Sequence, residues 1–416
     1  MTRRKSRALI GAGAVAVASA LVLTGCGGSG FDDPEGEPAE GLTSSEDGLT
    51  ILIAASGDAE ATAVKDTVAA WSKESGITAD VEVASDLNQQ LAQGFAAGSP
   101  PDLFYLSPDS IAGYAGNGSL QAYGDELSNK DDFYPALVDN FTYDGDFYCA
   151  PKDFSTLGLV INTDLWAAAG LTDAEIPTTW EELAAVSKTL TVEGQVGLAF
   201  GAEYQRVGAF MAQAGGALVD DGTVVADSAE NVEALEYVKD NLAGGNFAYA
   251  ADIGAGWGGE AFGKGLAAMV IEGNWISGAM TADFPDVKYQ VVELPAGPSG
   301  PGTLQYTNCW GMAADSPNQQ AALELVEYLT AADQQLAFSE AFGPMPSVQS
   351  AAQAWTDANP EDAAFLSGAD YAQFLPTQDG TADVIADFNA QLESLKTGDP
   401  KTILQSVQSN LEAAVG

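Results

Sequence analysis

Leu49 to Ala54 is an apolar run closed by turn residues, and it predicts a buried first strand. Ser56-Gly57-Asp58 then turns the chain into a helix with Val64, Val68 and Trp71 on one face, stopped at Gly76. Thr78 to Val83 alternates as a second strand, and Asp86 opens the next helix. Pro100-Pro101-Asp102 leads into a third strand, Leu103 to Leu106. Strand and helix alternate, which predicts an α/β domain with a largely parallel sheet.

Further along, Asp144-Gly145 predicts a hairpin turn, and Thr178-x-x-Glu181 after Pro177 reads as a capping box. Val196 to Phe200 predicts a strand. Helices are expected over Glu203–Ala214, Ser228–Leu242, Pro317–Thr330 and Asp333–Ala341, with another after Gly398. Between them, Phe262 to Ile276 reads as a helix end, a Gly-Lys-Gly turn, a short buried strand (Ala267 to Ile271) and a new helix. That arrangement delivers Trp275 at the strand-to-helix turn. No internal repeat is visible.

The first residues follow a different pattern. Arg3, Arg4, Lys5 and Arg7 precede an apolar stretch from Ala8 to Leu23, and Leu23-Thr24-Gly25-Cys26 follows. This predicts an export leader over 1–25, with Cys26 acylated as the first mature residue. A spanning helix needs about 20 apolar residues, and this stretch is shorter, with no basic flank after it. Gly27 to Asp47 is rich in Gly, Pro, Ser, Asp and Glu, so 26–47 reads as a flexible tether. A chain of 416 residues with 46% hydrophobic content can bury a large core and suggests two domains.

Charge narrows the function. Fifteen Lys and Arg face 59 Asp and Glu, a net charge of −44, and four of the basic residues lie in the leader. Such a surface repels phosphate backbones and anionic headgroups, which excludes nucleic acid as a natural partner. There is no histidine, so a Ser-His-Asp arrangement and the commonest zinc ligand are missing. No Asp-rich run matches a calcium loop, and neither a metal nor a cofactor is expected.

The Gly-Lys turn, small-residue strand and Gly-x-Trp of 262–276 resemble the solute-binding proteins of ABC importers, in particular the carbohydrate-binding, maltose-binding-protein-like branch. The likeness extends over nearly all of the chain from Leu49. It includes the Pro-Asp before the third strand, the run Tyr114 to Leu120, and Asn162-x-Asp-Leu at the end of a later strand. The resemblance implies a periplasmic-binding-protein type II fold: two α/β lobes, a three-segment hinge, and a ligand cleft between them. The first lobe is expected over 48–150 and 309–344, and the second over 151–308 and 345–416. Crossings are expected at Cys149–Trp166, Thr307–Ala314 and Gly343–Pro346. In the resembled fold the first two crossing strands run side by side, which implies a Cys149–Cys309 disulfide in an exported protein. Two separate buried thiols are the alternative.

The same resemblance implies ligand contacts. Asp58, Asp109 and Glu203 match carboxylates that accept from sugar hydroxyls, and Trp275 matches a stacking tryptophan. Asp86 stands where relatives carry a lysine. Ser155 stands where the maltose protein has a glutamate, with Asp153 as a substitute two residues earlier. Leu106 and Ile385 replace aromatic residues, which speaks against maltose as the ligand. Trp257 and Trp310 are candidates for replacement stacking faces, with core packing as the alternative. Arg206, one helical turn from Glu203, is a candidate to hold that carboxylate or to donate to a hydroxyl, and a plain surface pair is equally open.

The implied function is a lipid-anchored extracytoplasmic protein, acting as a monomer, that captures an oligosaccharide and delivers it to a membrane permease. Two other readings exist. A glycoside hydrolase would use Asp109 and Glu203, at a fixed separation of about 5–5.5 or 6.5–9.5 Å. A surface adhesin would show repeats or sandwich-like strand spacing, which the chain lacks.

Overall fold

The computed structural model describes residues 41–415 except Ser56, Asp221 and Asp379. The expected leader and the acylated Cys26 lie outside the described residues. The tether proves shorter than expected, because its end is docked. Thr43 N–H donates to Gln319 Oε1 at 3.0 Å, Ser45 N–H to Asn318 Oδ1 at 3.3 Å, and Asn318 Nδ2 to the Asp47 carbonyl at 2.9 Å. This polar stretch is placed by backbone hydrogen bonding, with Leu42 alone packing on the core.

Ten strands form one sheet. They are β1 (Leu49–Ile53), β2 (Ala79–Val83), β3 (Leu103–Leu106), β4 (Ala150–Asn162), β5 (Val196–Phe200), β6 (Phe247–Tyr249), β7 (Ala267–Gly273), β8 (Tyr289–Val292), β9 (Thr303–Met312) and β10 (Ala372–Gln373). Their order is β6-β5-β7-β4-β9-β3-β1-β2, with β8 added on β4 and β10 on β9. The runs predicted as buried strands are buried along their length, as in β3, β5 and β7, because helices cover both faces. The alternating β2 lies at the edge and is partly exposed. At one end β1 pairs in parallel with β2 and β3, and at the other β5 pairs in parallel with β6 and β7.

The helices that matter below are α1 (Asp58–Ser75), α2 (Leu87–Ala96), α3 (Pro108–Gly116), α4 (Tyr204–Gln213), α5 (Trp275–Asp283) and α6 (Thr381–Leu392). Val64, Val68 and Trp71 are the buried apolar face of α1, as their spacing predicts. The capping site after Pro177 falls one residue later than expected. Thr179 accepts from Glu182 N–H at 3.3 Å, while the Glu182 carboxylate accepts from Thr178 N–H at 2.8 Å.

Strands β4 and β9 join the two ends of the sheet. They run antiparallel, pairing Tyr306 with Ser155 and Asn308 with Asp153, and then slip so that Cys309 faces Pro151. The slip leaves Lys152 without an opposite residue, the signature of a bulge, which bends a strand and re-aims its side chains. Cys149 and Cys309 are joined by a disulfide with Cα atoms 5.6 Å apart. Alongside, Phe154 and Met345 exchange backbone hydrogen bonds at 3.1 and 3.2 Å.

Three cores flank this junction. One gathers residues between Leu49 and Ala150 with residues between Cys309 and Ala351. A second packs Leu157–Leu304 residues against the C-terminal helices, and a third lies around Phe154, Phe262, Met345 and Phe365. Val348 and Ala351 pack with the first core, a few residues beyond the expected boundary at 344.

Candidate functional site

β7 is an apolar strand that ends in a charge, Glu272, followed by Gly273 and then Trp275 at the start of α5. The Trp275 ring folds back over Gly273, where any Cβ would collide with it, so only glycine permits this turn. The indole N–H donates to Glu272 Oε2 at 3.0 Å, and Arg206 Nη2 of α4 donates to the same oxygen at 2.7 Å. Arg206 Nη1 lies 3.2 Å from Glu203, and its guanidinium carbon is 5.2 Å from the centre of the Trp275 ring. Tyr306 of β9 meets Trp275 edge-on at 5.5 Å. Trp275 is thus locked at its nitrogen and still 38% exposed. Burial pushes the Glu272 carboxyl up, and the charge of Arg206 works against that push.

A second ion cluster lies across β4. Lys152, aimed by the bulge, contacts Asp153 and reaches Glu60 of α1 at 3.2 Å. Tyr105 O–H donates to the same Glu60 oxygen at 3.0 Å, and Lys152 Nζ sits 4.6 Å from the centre of the Tyr105 ring. Burial raises the Asp153 carboxyl while Lys152 opposes it. Burial also works against the Lys152 charge, but Asp153 and Glu60 outweigh it and keep the ammonium above its ordinary value. Both cations are therefore already engaged by carboxylates.

Two cavities, of about 400 and 350 Å³, adjoin this region, and the second lies between the clusters. The first is lined by Asp109, Asn140, Gln205 and Gln305, with Leu375, Pro376 and Ile385 as its apolar wall. The second is lined by Glu60, Lys152, Asp153, Ser155, Asn274 and Trp275. Tyr306, Thr307 and Asn308 line both. Flat apolar faces, amides and ionised acceptors, with no unneutralised cation among these lining residues, suit a ligand that presents C–H surface and hydroxyl donors.

Comparison with known proteins decides the family. The sequence model for the bacterial extracellular solute-binding proteins matches residues 66–366. The chain belongs to this family. The diacetylchitobiose binding protein DasA of Streptomyces coelicolor is 24% identical over 351 residues, covering 80% of this chain and 81% of DasA. The GacH receptor of Streptomyces glaucescens, solved unliganded and with acarbose, superposes with a TM-score of 0.76 at 23% identity, over 88% of this chain and 98% of that one. A cyclic α-maltosyl-1,6-maltose binding protein from Arthrobacter globiformis gives 0.78 at 22% identity, over 88% and 98%. The fold is therefore the type II periplasmic-binding-protein fold. The family is one of substrate-binding proteins and not of enzymes, so the hydrolase reading of Asp109 and Glu203 falls.

In this solute-binding protein the residues expected at the site are partly gathered. Asp109 lines the first cavity, and Asp153, Ser155 and Trp275 line the second. Glu203 and Arg206 stand behind Trp275. Asp58 is exposed in the first turn of α1, the helix that carries Glu60.

Three of the candidate residues, Asp86, Trp257 and Trp310, line neither cavity. Asp86 caps α2, accepting from Gln89 N–H at 3.0 Å. Trp257 lies over Gly259 and packs on the third core. Trp310, 1% exposed, is a core residue packed edge-on to Tyr105 at 4.8 Å. Its side chain belongs to the first core and its carbonyl accepts from Tyr123.

Glu272, Glu60, Lys152, Tyr306 and Gln305 went unnoticed in the sequence. Glu272 had a readable signal: a lone carboxylate closing the apolar run Ala267–Ile271 demands a buried partner, and Arg206 is the one arginine after the leader.

Proposed function

We propose that this chain is a lipid-anchored receptor that captures an oligosaccharide and hands it to the membrane permease of an ABC importer. The observation that carries this reading is the pair of cavities meeting on Tyr306–Asn308. They are lined by aromatic edges, amides and carboxylates; their one lining cation, Lys152, is neutralised by Glu60 and Asp153, and Arg206, which stands behind Trp275, is paired with Glu272 and Glu203. An anionic ligand would find no uncommitted positive group there, whereas sugar hydroxyls would find charged acceptors. The sugar-binding relatives support the same ligand class.

On this reading the ligand sits between two lobes, 48–150 with 309–344 and 151–308 with 345–416. The strands β4 and β9 and the Gly343–Pro346 segment form the hinge. Trp275 offers a stacking face, and Asp109 and Asp153 accept from hydroxyls. The leader is removed and Cys26 carries the acyl anchor. The protein acts as a monomer on the outer face of the cell membrane.

A thermal-shift screen over gluco-, xylo-, arabino-, fructo- and galacto-oligosaccharides tests the reading, because a ligand bound only to the native state raises the melting temperature. A shift with one sugar class and no hydrolysis product is the expected result. Absence of any shift across the panel would remove the carbohydrate assignment. Retention of a Cys26→Ala variant in the membrane fraction would remove the anchor.

A further inference from the structure

Gln305 lies on β9 at the wall of the 400 Å³ cavity, opposite Thr156 of β4. It is 2% exposed, and neither its amide nitrogen nor its amide oxygen has a hydrogen-bond partner. Buried side-chain amides are nearly always satisfied, and leaving both ends of one unpaired is destabilising. Its neighbours on the strand are arranged otherwise. The Thr303 hydroxyl both donates to and accepts from Leu157 backbone groups at 3.1 Å, Tyr306 donates to the Gln205 carbonyl, and Thr307 donates to the Asp153 carbonyl at 2.6 Å. Among the described residues of this stretch, Gln305 is the buried side chain that keeps a donor and an acceptor side by side and unused.

An amide end presents a donor and an acceptor about as far apart as two neighbouring hydroxyls on a sugar ring, and each hydroxyl can donate or accept. The terminal torsion of glutamine is broad, so the amide can turn without a change of backbone. Leu375, Pro376 and Ile385 provide an apolar wall for the ring's C–H surface in the same cavity.

We infer that Gln305 is the specificity-determining residue of this cavity, reading a vicinal pair of ligand hydroxyls. The inference rests on the carbohydrate reading above. It differs from that reading in predicting that the residue is kept at a cost to the unliganded protein. A site built to hydrogen-bond a hydroxyl rejects analogues lacking it, because its own buried group is then left unpaired.

The test uses Gln305→Leu in the whole chain, with the oligosaccharide that shifts the wild type most and its monodeoxy analogues as probes. Without ligand, Gln305→Leu melts higher than the wild type by a few degrees, since an unpaired polar group is replaced by an apolar one. With ligand, its affinity falls at least ten-fold, and its discrimination against one deoxy analogue collapses to within two-fold. A lower unliganded melting temperature would show that Gln305 holds partners in the fold, and would overturn the inference. Unchanged affinity and unchanged deoxy discrimination, with the parent sugar still bound, would overturn it while leaving the carbohydrate reading intact. A panel in which no sugar binds the wild type would overturn both.

Discussion

Glu272 Oε2 accepts from both Arg206 and Trp275 while the residue is 1% exposed, so one carboxylate fixes a cation and an aromatic ring together. This separates two roles that neighbouring substitutions can distinguish. Glu272→Ala leaves Arg206 buried with Glu203 alone and frees the indole N–H. It is expected to lower stability by about 3 kcal/mol, the scale of a broken buried ion pair, and to weaken ligand binding as well. Trp275→Ala removes the half-exposed ring and leaves the ion pair standing. It is expected to cost about 2–4 kcal/mol of affinity, the range of a binding hot spot, with an unfolding midpoint close to wild type. Urea unfolding beside calorimetry checks both. Equal stability losses in the two variants would show that Trp275 serves the core.

Among the elements, β4 and β9 carry the largest burden, because they cross the molecule side by side and the Cys149–Cys309 bridge ties them. The bridge closes a loop of 160 residues, so Cys149→Ser with Cys309→Ser is expected to lose about 2–4 kcal/mol in urea unfolding. Unchanged stability would mean that the denatured chain is not constrained by the link. The contact between α5 and the turn at Pro360–Asp362 is expected to depend on pH. Asp362 is buried there and accepts from Ser277 Oγ at 2.9 Å. Burial pushes its carboxyl up to about 6. A folded pKa above the unfolded one means that the folded state holds the proton more tightly. The resulting stability is full below about pH 4 and is lost as pH rises through 6. Asp362→Asn cannot ionise and keeps an acceptor for Ser277. It should match the wild type at pH 4 and exceed it by about 2–3 kcal/mol at pH 8. A difference that does not change with pH would show that Asp362 does not titrate in this window.

At the scale of the whole molecule, charge and hinge set the behaviour. Fifteen basic residues against 59 acidic ones leave most carboxylates facing like charges, and self-repulsion destabilises a compact state. Raising NaCl from 20 to 500 mM should therefore raise the melting temperature, as screening shortens the reach of that repulsion to a few ångströms. A fall would mean that exposed ion pairs such as Lys130–Asp125 outweigh it. If ligand bridges the two lobes, it favours the closed state by its differential affinity. Small-angle scattering should then show a smaller radius of gyration with the correct sugar. Superimposable profiles would argue for a cleft that is already set.

The sequence by itself determined the order of the elements it marked, because strand and helix signals are local: apolar runs, turn residues and caps each act within a few positions. It also placed Trp275 at the strand-to-helix turn, since Gly273 is read from its neighbour. Family likeness brought the two cysteines together across 160 residues. What only the tertiary structure decided is which side chains share a partner. Arg206 and Glu272 are 66 residues apart, and Lys152 and Glu60 are 92 apart. Their pairing depends on sheet order and on a bulge at Lys152, neither of which a local pattern encodes. Trp310 and Trp257 show the same limit from the other direction. Each is an aromatic residue at a crossing or a loop in the sequence; Trp310 is buried in the first core and Trp257 packs half-buried against the third, because burial is a property of what arrives from elsewhere in the chain.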